Sequence, residues 1–443
     1  MLDFPRKPYK THGGVHAPHR KNTADFESVE ITAPKQVVIA MSQHIGAPCK
    51  PTVKAGDIVD AGQVIGDSDS FVSAPVHASV SGKVSKIIQI TMPSGAKCDA
   101  VVIDNDFEMR MSSDIHPPVV KCKEDLVAAA RKSGLVGLGG AGFPAHIKLN
   151  TPQNREIDTL LVNMAECEPY ITSDNREALE NSWALMSGIY AIKDILGIHR
   201  VIIGVESNKP EVIKVLSEIA YNETADPNNE VRVLKLKASY PQGAEKVLVQ
   251  ACTGRKIPVG KLPSDVGVVV MNITSIAFLS TYLKTGIPLI KKRITVDGGA
   301  ISEPKNVIVP IGTPIKDVVE FCGGYRCEPK KILAGGPMMG LALIDDEFPI
   351  LKQNNAILFF NEKEAQLCEP SDCIRCGRCV KSCPMSLMPT VLSNAVKLKD
   401  VDELKRLNIM TCMECGCCAF SCPASKPLVQ TMRIGKQLVK NSK

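Results

Sequence analysis

The sequence predicts a multidomain chain of mixed α/β and α+β architecture, and three observations carry that expectation. The chain has 443 residues, too many for one core when domains usually hold ~100–200. Ten of its 17 cysteines fall after residue 367, which sets a metal-binding tail apart from the rest. Before that tail, apolar runs stop on polar residues or glycine pairs, the punctuation of strands and turns. Four parts are expected: a β module with its leading segment over 1–115, an α/β domain over 116–290, a smaller mixed domain over 291–352 and a helical, cysteine-rich domain over 353–443.

Composition narrows the function. With 53 basic and 47 acidic side chains the net charge is +6, too mild to argue for nucleic acid. The first residues lack the apolar core of a signal peptide. No run reaches the ~18 apolar residues of a membrane span; the best, Val266 to Leu279, is short and holds Asn272, Thr274 and Ser275. Seventeen cysteines without a secretion signal point to a reducing compartment and metal ligation rather than disulfides. The basic excess gathers at the ends: Arg6, Lys7, Lys10, Arg20 and Lys21 with three histidines at the start, and Lys426, Arg433, Lys436, Lys440 and Lys443 at the finish. These ends read either as solvated or as docking surfaces for an acidic partner or a membrane.

The tail is the most specific feature. Cys373, Cys376 and Cys379 are followed by Cys383-Pro384, and Cys412, Cys415 and Cys418 by Cys422-Pro423. This is the two-cluster ferredoxin spacing, in which the fourth cysteine of each run serves the other cluster. One [4Fe–4S] cluster is therefore assigned to Cys373, Cys376, Cys379 and Cys422, and the second to Cys412, Cys415, Cys418 and Cys383. A cubane needs thiolates at four corners: a tight loop reaches three irons, and the fourth is reached from elsewhere. Gly377 and Gly416 let the backbone turn closely. Zinc sites use two pairs of ligands and do not explain two matched runs of four. Cys368 and Cys417 fall outside the pattern and read as free thiols. The stretch from Ser386 to Asn408 has apolar residues at helical spacing and reads as a helical insertion.

Upstream, Gly134 to Pro144 reads GLVGLGGAGFP. Its glycines bare backbone N–H groups that can lie on a phosphate or a planar ring. It departs from the usual dinucleotide fingerprint, because a helix ending in glycine (EDLVAAARKSG) precedes it instead of a strand. Lys148 follows. Residues 160–174 form an apolar strand running into Asn163, Glu166 and Glu168. Tyr240 to Glu245 reads YPQGAE, and residues 266–275 form a buried-type strand ending at Asn272 and Ser275. Polar groups at strand ends are where α/β sheets build ligand sites.

The series GLGGAGFP…K, NMAECEP, YPQGAE and MNITS resembles the NADH- and FMN-binding flavoprotein subunit of respiratory complex I. It is similar still more closely to the C subunits of Rnf complexes. That second resemblance covers nearly the whole chain, including His12-Gly-Gly-Val-His16, Gly335-Gly-Pro-Met-Met-Gly340 and the double-cluster tail. It implies a Rossmann-like domain in which Gly137, Gly139, Gly140 and Gly142 cradle FMN, Lys148 sits at the flavin edge, and Asn163, Asn272 and Ser275 hold ring and ribityl groups. Phe143 would face NAD(H), with Glu168 and Glu245 placing it; Glu166, Tyr240 and Gly243 belong to the same expected site. Leu138, Ala165 and Ala244 stand where the complex I pattern has arginine, aspartate and glutamate, and no second aromatic stands near Thr151.

Residues 52–90 resemble the barrel-sandwich hybrid of lipoyl and biotinyl carriers. The hairpin between the halves, Ser68 to Pro75, lacks their lysine, so a structural or docking role is expected. Residues 295–345 resemble a β-grasp domain of the SLBB type, with a helix at IKDVVEFCGG, and packing is its expected role.

Together these parts imply an enzyme: a peripheral electron-transfer subunit of an ion-translocating ferredoxin:NAD+ oxidoreductase. FMN would convert between the two-electron regime of NAD(H) and the one-electron regime of two [4Fe–4S] clusters. Expected partners are integral-membrane and ferredoxin-type subunits of the complex and, indirectly, ferredoxin, but not nucleic acid; the expected place is the cytoplasmic face of the membrane. The rival reading is a soluble corrin reductase of a metabolic microcompartment, and the basic HGGVHAPHRKNT segment favours the first.

Overall fold

The structure, a computed structural model, describes residues 5–442 apart from 153 and 224–229; Lys443 of the basic tail lies outside them. The α/β domain is built on four parallel strands, in the order Glu230–Leu236, Arg200–Glu206, Thr159–Met164, Val268–Asn272. Apart from the edge strand Glu230–Leu236, which exposes Arg232 and Lys235, the strands are largely apolar and buried because helices cover both faces. Leu160 and Val162 pack among residues of the helices Ser182–Leu196 and Ile273–Thr285, while Leu161, on the opposite face, packs with Glu245–Thr253. The register sets Asn163 beside Asn272 at the carboxyl edge. A helix starts directly after Asn272, whose side chain caps it by accepting the Ser275 N–H at 3.2 Å.

The N-terminal module has two small antiparallel sheets. One holds Gln36–Ala40, Lys97–Asn105, Gly82–Thr91 and Ile58–Val59; the other holds Lys50–Pro51, Val64–Asp67 and Val76–His77. Val37, Ile39, Ile65, Val76, Val84 and Ile103 fill the space between them. The third domain is a six-stranded sheet in the order Val29–Glu30, Lys305–Pro310, Lys291–Asp297, Ala356–Phe360, Lys331–Ala334, Leu341–Leu343, with the helix Ile315–Phe321 over its core. Its sheet passes the expected boundary at 352, because Ala356–Phe360 pairs in parallel with Lys291–Asp297. It also recruits Val29–Glu30 from the leading segment.

The tail is helical, and the expected insertion forms two helices, Pro389–Lys397 and Val401–Arg406. They bury Leu392, Val396 and Leu404 against Ile409 and Met432. Gly377 and Gly416 both take positive φ, 72° and 81°, each opening a short helix that carries a cysteine of its run. Here no side chain could turn as cheaply. In the last helix, Leu428–Asn441, Arg433 and Lys436 bind Glu414 at 2.9 and 2.7 Å. Part of the basic tail therefore clamps its own cluster loop.

From Tyr9 onward the basic N-terminal segment forms a strap, while Arg6, Lys7 and Lys10 stay exposed. Tyr9 N–H donates to Ala251 O at 2.9 Å, Gly14 N–H to Ser382 O at 2.9 Å, and Val15 pairs with Tyr240 in both directions. Lys21 Nζ donates to the carbonyls of Glu166 and Glu168 at 2.8 Å. Arg20 reaches Tyr170 and Glu364. The strap thus ties the α/β domain to the tail and to the third domain. Gly13 sits at φ +68°, and a Cβ there would fall 2.7 Å from the Cys383 carbonyl carbon. Gly13→Ala is expected to lift this segment, cost ~1–3 kcal/mol and open residues 5–25 to limited proteolysis.

Three domains meet at Lys352, whose Nζ donates to Pro75 O at 2.6 Å and Gly134 O at 2.8 Å. Burial pushes its pKa from 10.5 down to about 7. Burial likewise brings Lys21 and Lys292 down to about 8. From about pH 7 to 9 the unfolded chain holds these protons and the folded chain releases them, so stability rises with pH across that window. The expected result is a thermal midpoint that gains less between pH 7 and 9 in Lys352→Met than in the parent chain.

Candidate cofactor cavity and cluster sites

A cavity of about 740 Å³ lies over the carboxyl edge of the parallel sheet, within the size range of small-molecule and cofactor sites. Gly137, Gly139, Gly140, Phe143, Lys148, Asn163, Glu166, Glu168, Tyr240, Gly243, Glu245, Asn272 and Ser275 all line it. Of the expected nucleotide residues only Gly142 does not. It is buried, turns the loop at φ +65° and accepts the Ile45 N–H at 2.9 Å.

The glycine-rich loop is shaped to carry something. Gly137 N–H donates to Phe143 O, Gly142 N–H to Gly137 O, and Leu138 N–H to Ser275 Oγ. Among the described residues no acceptor meets the N–H groups of 139–141. A Cβ on Gly139 would lie 2.8 Å from Asn272 Nδ2, and Gly140 holds φ +112°. Bare donors on a loop without side chains fit the phosphate or ring of a flavin nucleotide.

The polar edge is braced from behind. Asn272 Nδ2 donates to Asp174 at 2.6 Å, and Thr274 Oγ1 donates to the same carboxylate at 2.6 Å. Asn163 Nδ2 donates to Gly243 O at 2.9 Å, holding the YPQGAE loop, whose Tyr240-Pro241 bond is cis. Gly243 cannot be larger, since a Cβ would meet Ala165 O at 2.1 Å. Lys148 Nζ is 2.9 Å from Glu245 Oε2 and donates to Val270 O, so a cation stands at the sheet end where a flavin edge would gain negative charge.

Of the two acids of NMAECEP, Glu166 is buried and Glu168 half-buried. Glu166 accepts the Asp174 N–H at 2.7 Å, and burial raises its pKa to about 7 against the pull of Lys21 and Lys209. Glu168 accepts the N–H groups of Met338 and Met339 at 3.0 and 2.9 Å, and burial raises it to about 7 as well. Glu168 therefore holds the Gly335–Gly340 loop of the third domain, which lines the cavity. That domain does more than pack.

The second cysteine set converges. Cys383, Cys412, Cys415 and Cys418 surround one small cavity walled by Pro384, Leu387, Val429 and Met432. Among the described residues no three metal-binding side chains meet at a single-ion site. A cubane asks for something else, four sulfurs spread around a hollow, each on its own iron. Mostly apolar walls around four cysteine sulfurs fit that group. Of the first set, Cys379 lies within the electrostatic reach of Cys422, and Ser371 N–H donates to Ala424 O at 3.1 Å. Cys373 and Cys376 are exposed.

One side chain, Met413, lines both the large cavity and the second cluster's hollow. Tyr240, 2% exposed, packs with Cys415 and Cys417 on the same wall. Cys417 is thus buried beside a cluster ligand, while Cys368 is exposed. Sequence reasoning missed Asp174, Met413 and the N-terminal module's His44, Ile45 and Met92, all on the large cavity. A strand–Asn–helix motif could have suggested a buried acid like Asp174; nothing local marks the others.

Four family models match in series: "RnfC Barrel sandwich hybrid domain" over residues 9–108, "Nuo51 FMN-binding domain" over 130–281, "SLBB domain" over 293–342 and "4Fe-4S dicluster domain" over 366–441. A chain of an NAD+-reducing [NiFe]-hydrogenase aligns over 72% of this one and 62% of itself at 16% identity and TM-score 0.49, too loose a likeness to carry a functional reading. The C subunit of the proton-translocating ferredoxin:NAD(+) oxidoreductase complex of Clostridium ljungdahlii is 44% identical over 86% of this chain and 83% of its own. The C subunit of the Na(+)-translocating complex of Acetobacterium woodii is 41% identical over 96% of both chains. Similarity of that extent makes the chain a member of the family of C subunits of ion-translocating ferredoxin:NAD(+) oxidoreductase (Rnf) complexes.

Proposed function

We propose that this chain is the subunit through which such a complex exchanges electrons with NAD(H). FMN in the 740 Å³ cavity would take or give hydride at the nicotinamide and pass single electrons to two [4Fe–4S] clusters. The chain's own residues position and insulate. Bare N–H groups on the glycine-rich loop hold the nucleotide. Asn163 and Asn272, fixed by Gly243 and Asp174, present amides to the ring. Lys148 offsets its charge. Apolar walls keep water from the second cluster.

The single observation that carries this reading is Met413. Because it lines both hollows, the second cluster is the one next to the flavin. The first, with exposed Cys373 and Cys376, faces outward to the next carrier. Among the described residues no helix is long and apolar enough to cross a membrane. From its kinship with subunits of ion-translocating complexes, we place the chain as a peripheral subunit on the cytoplasmic face, against integral and ferredoxin-type subunits. Neither the fold nor the relatives support the corrin-reductase reading. The test is to supply reduced ferredoxin and NAD+ to membranes lacking this chain. NADH formation should disappear and return on adding the chain back; undiminished formation would sink the proposal.

A further inference from the structure

The parallel sheet has a second end, away from the cofactor cavity. At this amino end the N–H groups of Asp158 and Thr159 donate to Gly267 O at 3.1 and 3.2 Å, which brings the segment after Thr253 to the start of the strands. Arg255 closes the base of that segment. Its Nη1 donates to Val266 O at 2.8 Å, and its Nη2 holds Asp158 at 2.6 Å. Ile257 packs against the core beneath. Residues 256–262, KIPVGKL, stand out between these anchors.

The loop is braced, and its tip is apolar. Lys261 N–H donates to Pro258 O at 3.2 Å. Leu262 N–H donates to Asp265 at 2.7 Å, and the same carboxylate pairs with Arg155 at 2.8 Å. So held, Val259 and Leu262 are each 62% exposed. A single exposed aliphatic side chain is ordinary. Two on one built turn, interleaved with Lys256 and Lys261, make an amphipathic tip.

The strap brings more charge to the same end. Tyr9 N–H donates to Ala251 O at 2.9 Å, Gln250 Nε2 donates to Lys10 O at 3.1 Å, and the Tyr9 ring lies 3.2 Å from where a Gly254 Cβ would stand. Tyr9 is half-exposed, and Arg6, Lys7 and Lys10 around it are exposed, as are Lys256 and Lys261. The acids here answer other cations, Asp158 to Arg255 and Asp265 to Arg155; Glu156 stays exposed. Five exposed cations thus surround an apolar tip and a tyrosine.

The residue types favour one occupant. Four of these five cations are lysines. Protein interfaces are poor in lysine and rich in arginine, whereas an anionic lipid surface attracts any cation that comes within a Debye length. Tyrosine and aliphatic side chains settle at the headgroup boundary.

We propose that the amino end of the parallel sheet, through residues 256–262 and residues 6–10, docks on an anionic lipid surface, with Val259 and Leu262 entering the headgroup boundary. The inference rests on the peripheral placement proposed above and says which side of the chain meets the bilayer. The cofactor cavity, at the opposite end of the strands, then opens towards water and the dinucleotide.

The experiment sediments the full chain, loaded with FMN and iron, with vesicles of phosphatidylcholine alone or of phosphatidylcholine and phosphatidylglycerol in equal parts. The chain should bind the mixed vesicles, ignore the neutral ones and come off in high salt. Lys256→Glu with Lys261→Glu should weaken binding about tenfold or more, and Val259→Ser with Leu262→Ser should weaken it as well. Arg6→Glu with Lys7→Glu, in an exposed segment where folding is not at stake, is the second charge variant and should act like the first. Flavin and iron content and NADH-to-ferricyanide activity should stay at parent levels in all of them. A parent chain that ignores the mixed vesicles, or charge variants that bind them like the parent, overturns the inference. So does a parent chain that ignores protein-free vesicles while the same variants leave membranes holding the partner subunits, which would make the occupant an acidic protein. Vesicle binding needs no turnover: a chain that binds vesicles but passes no electrons from NADH to ferricyanide would sink the electron-transfer function and leave the lipid face standing.

Discussion

Cys383→Ala should cut the electron path at its middle. Cys383 follows the first cysteine run, yet it lies with Cys412, Cys415 and Cys418 around the hollow next to the flavin cavity. Its loss should halve the iron of the purified chain and lower ferredoxin-to-NAD+ electron transfer by more than about 100-fold, since even outer-shell changes at metal sites cost ~10–100-fold. NADH should still bleach the flavin. Cys422→Ala should do something different: it removes the outer cluster and leaves the inner one reducible from the flavin side. Iron analysis with freeze-quench EPR separates the two. If Cys383→Ala kept a reducible inner cluster and Cys422→Ala lost it, the crosswise assignment would be wrong. Cys368→Ala, exposed and outside both sets, should retain full iron.

Gly139→Ala should cost the flavin. The added Cβ would meet Asn272 Nδ2 at 2.8 Å, and that amide is already committed to Asp174 and to the Ser275 N–H. It cannot give way without breaking the cap of the helix behind it. FMN affinity should fall at least tenfold, about 1.4 kcal/mol, by fluorescence titration of the flavin-free chain. Gly137→Ala, whose Cβ would meet nothing closer than 3.6 Å, should be milder. Equal affinity in Gly139→Ala and the parent would mean that the loop does not carry the flavin.

These sites differ in how far the sequence announced them. The spacing alone marks the cluster cysteines as candidates, and the structure gathers one of the two sets, Cys383, Cys412, Cys415 and Cys418, around a hollow. The glycine-rich loop and the strand ends were legible as segments. Their meeting was not, since the alignment of Asn163 with Asn272 is a pairing across more than a hundred residues that no local period reveals. The strap was misread for a related reason. All its stabilising bonds are long-range, so Arg20 and Lys21 looked like solvated charge until Tyr170, Glu166 and Glu168 came into reach. The boundary at 352 failed because Ala356–Phe360 follows a connecting segment yet completes the earlier sheet.

Electrons should pass between the large cavity and the tail through the wall formed by Tyr240 and Met413. The most direct test starts with the loaded chain, its clusters reduced anaerobically by a low-potential donor, mixed with NAD+ and sampled by freeze-quench EPR and absorption. NADH should form as the reduced-cluster signals vanish, with the inner cluster reoxidised first and the outer one feeding it. Clusters that stay reduced while NAD+ is present, or NADH formed with both cluster signals unchanged, would contradict it.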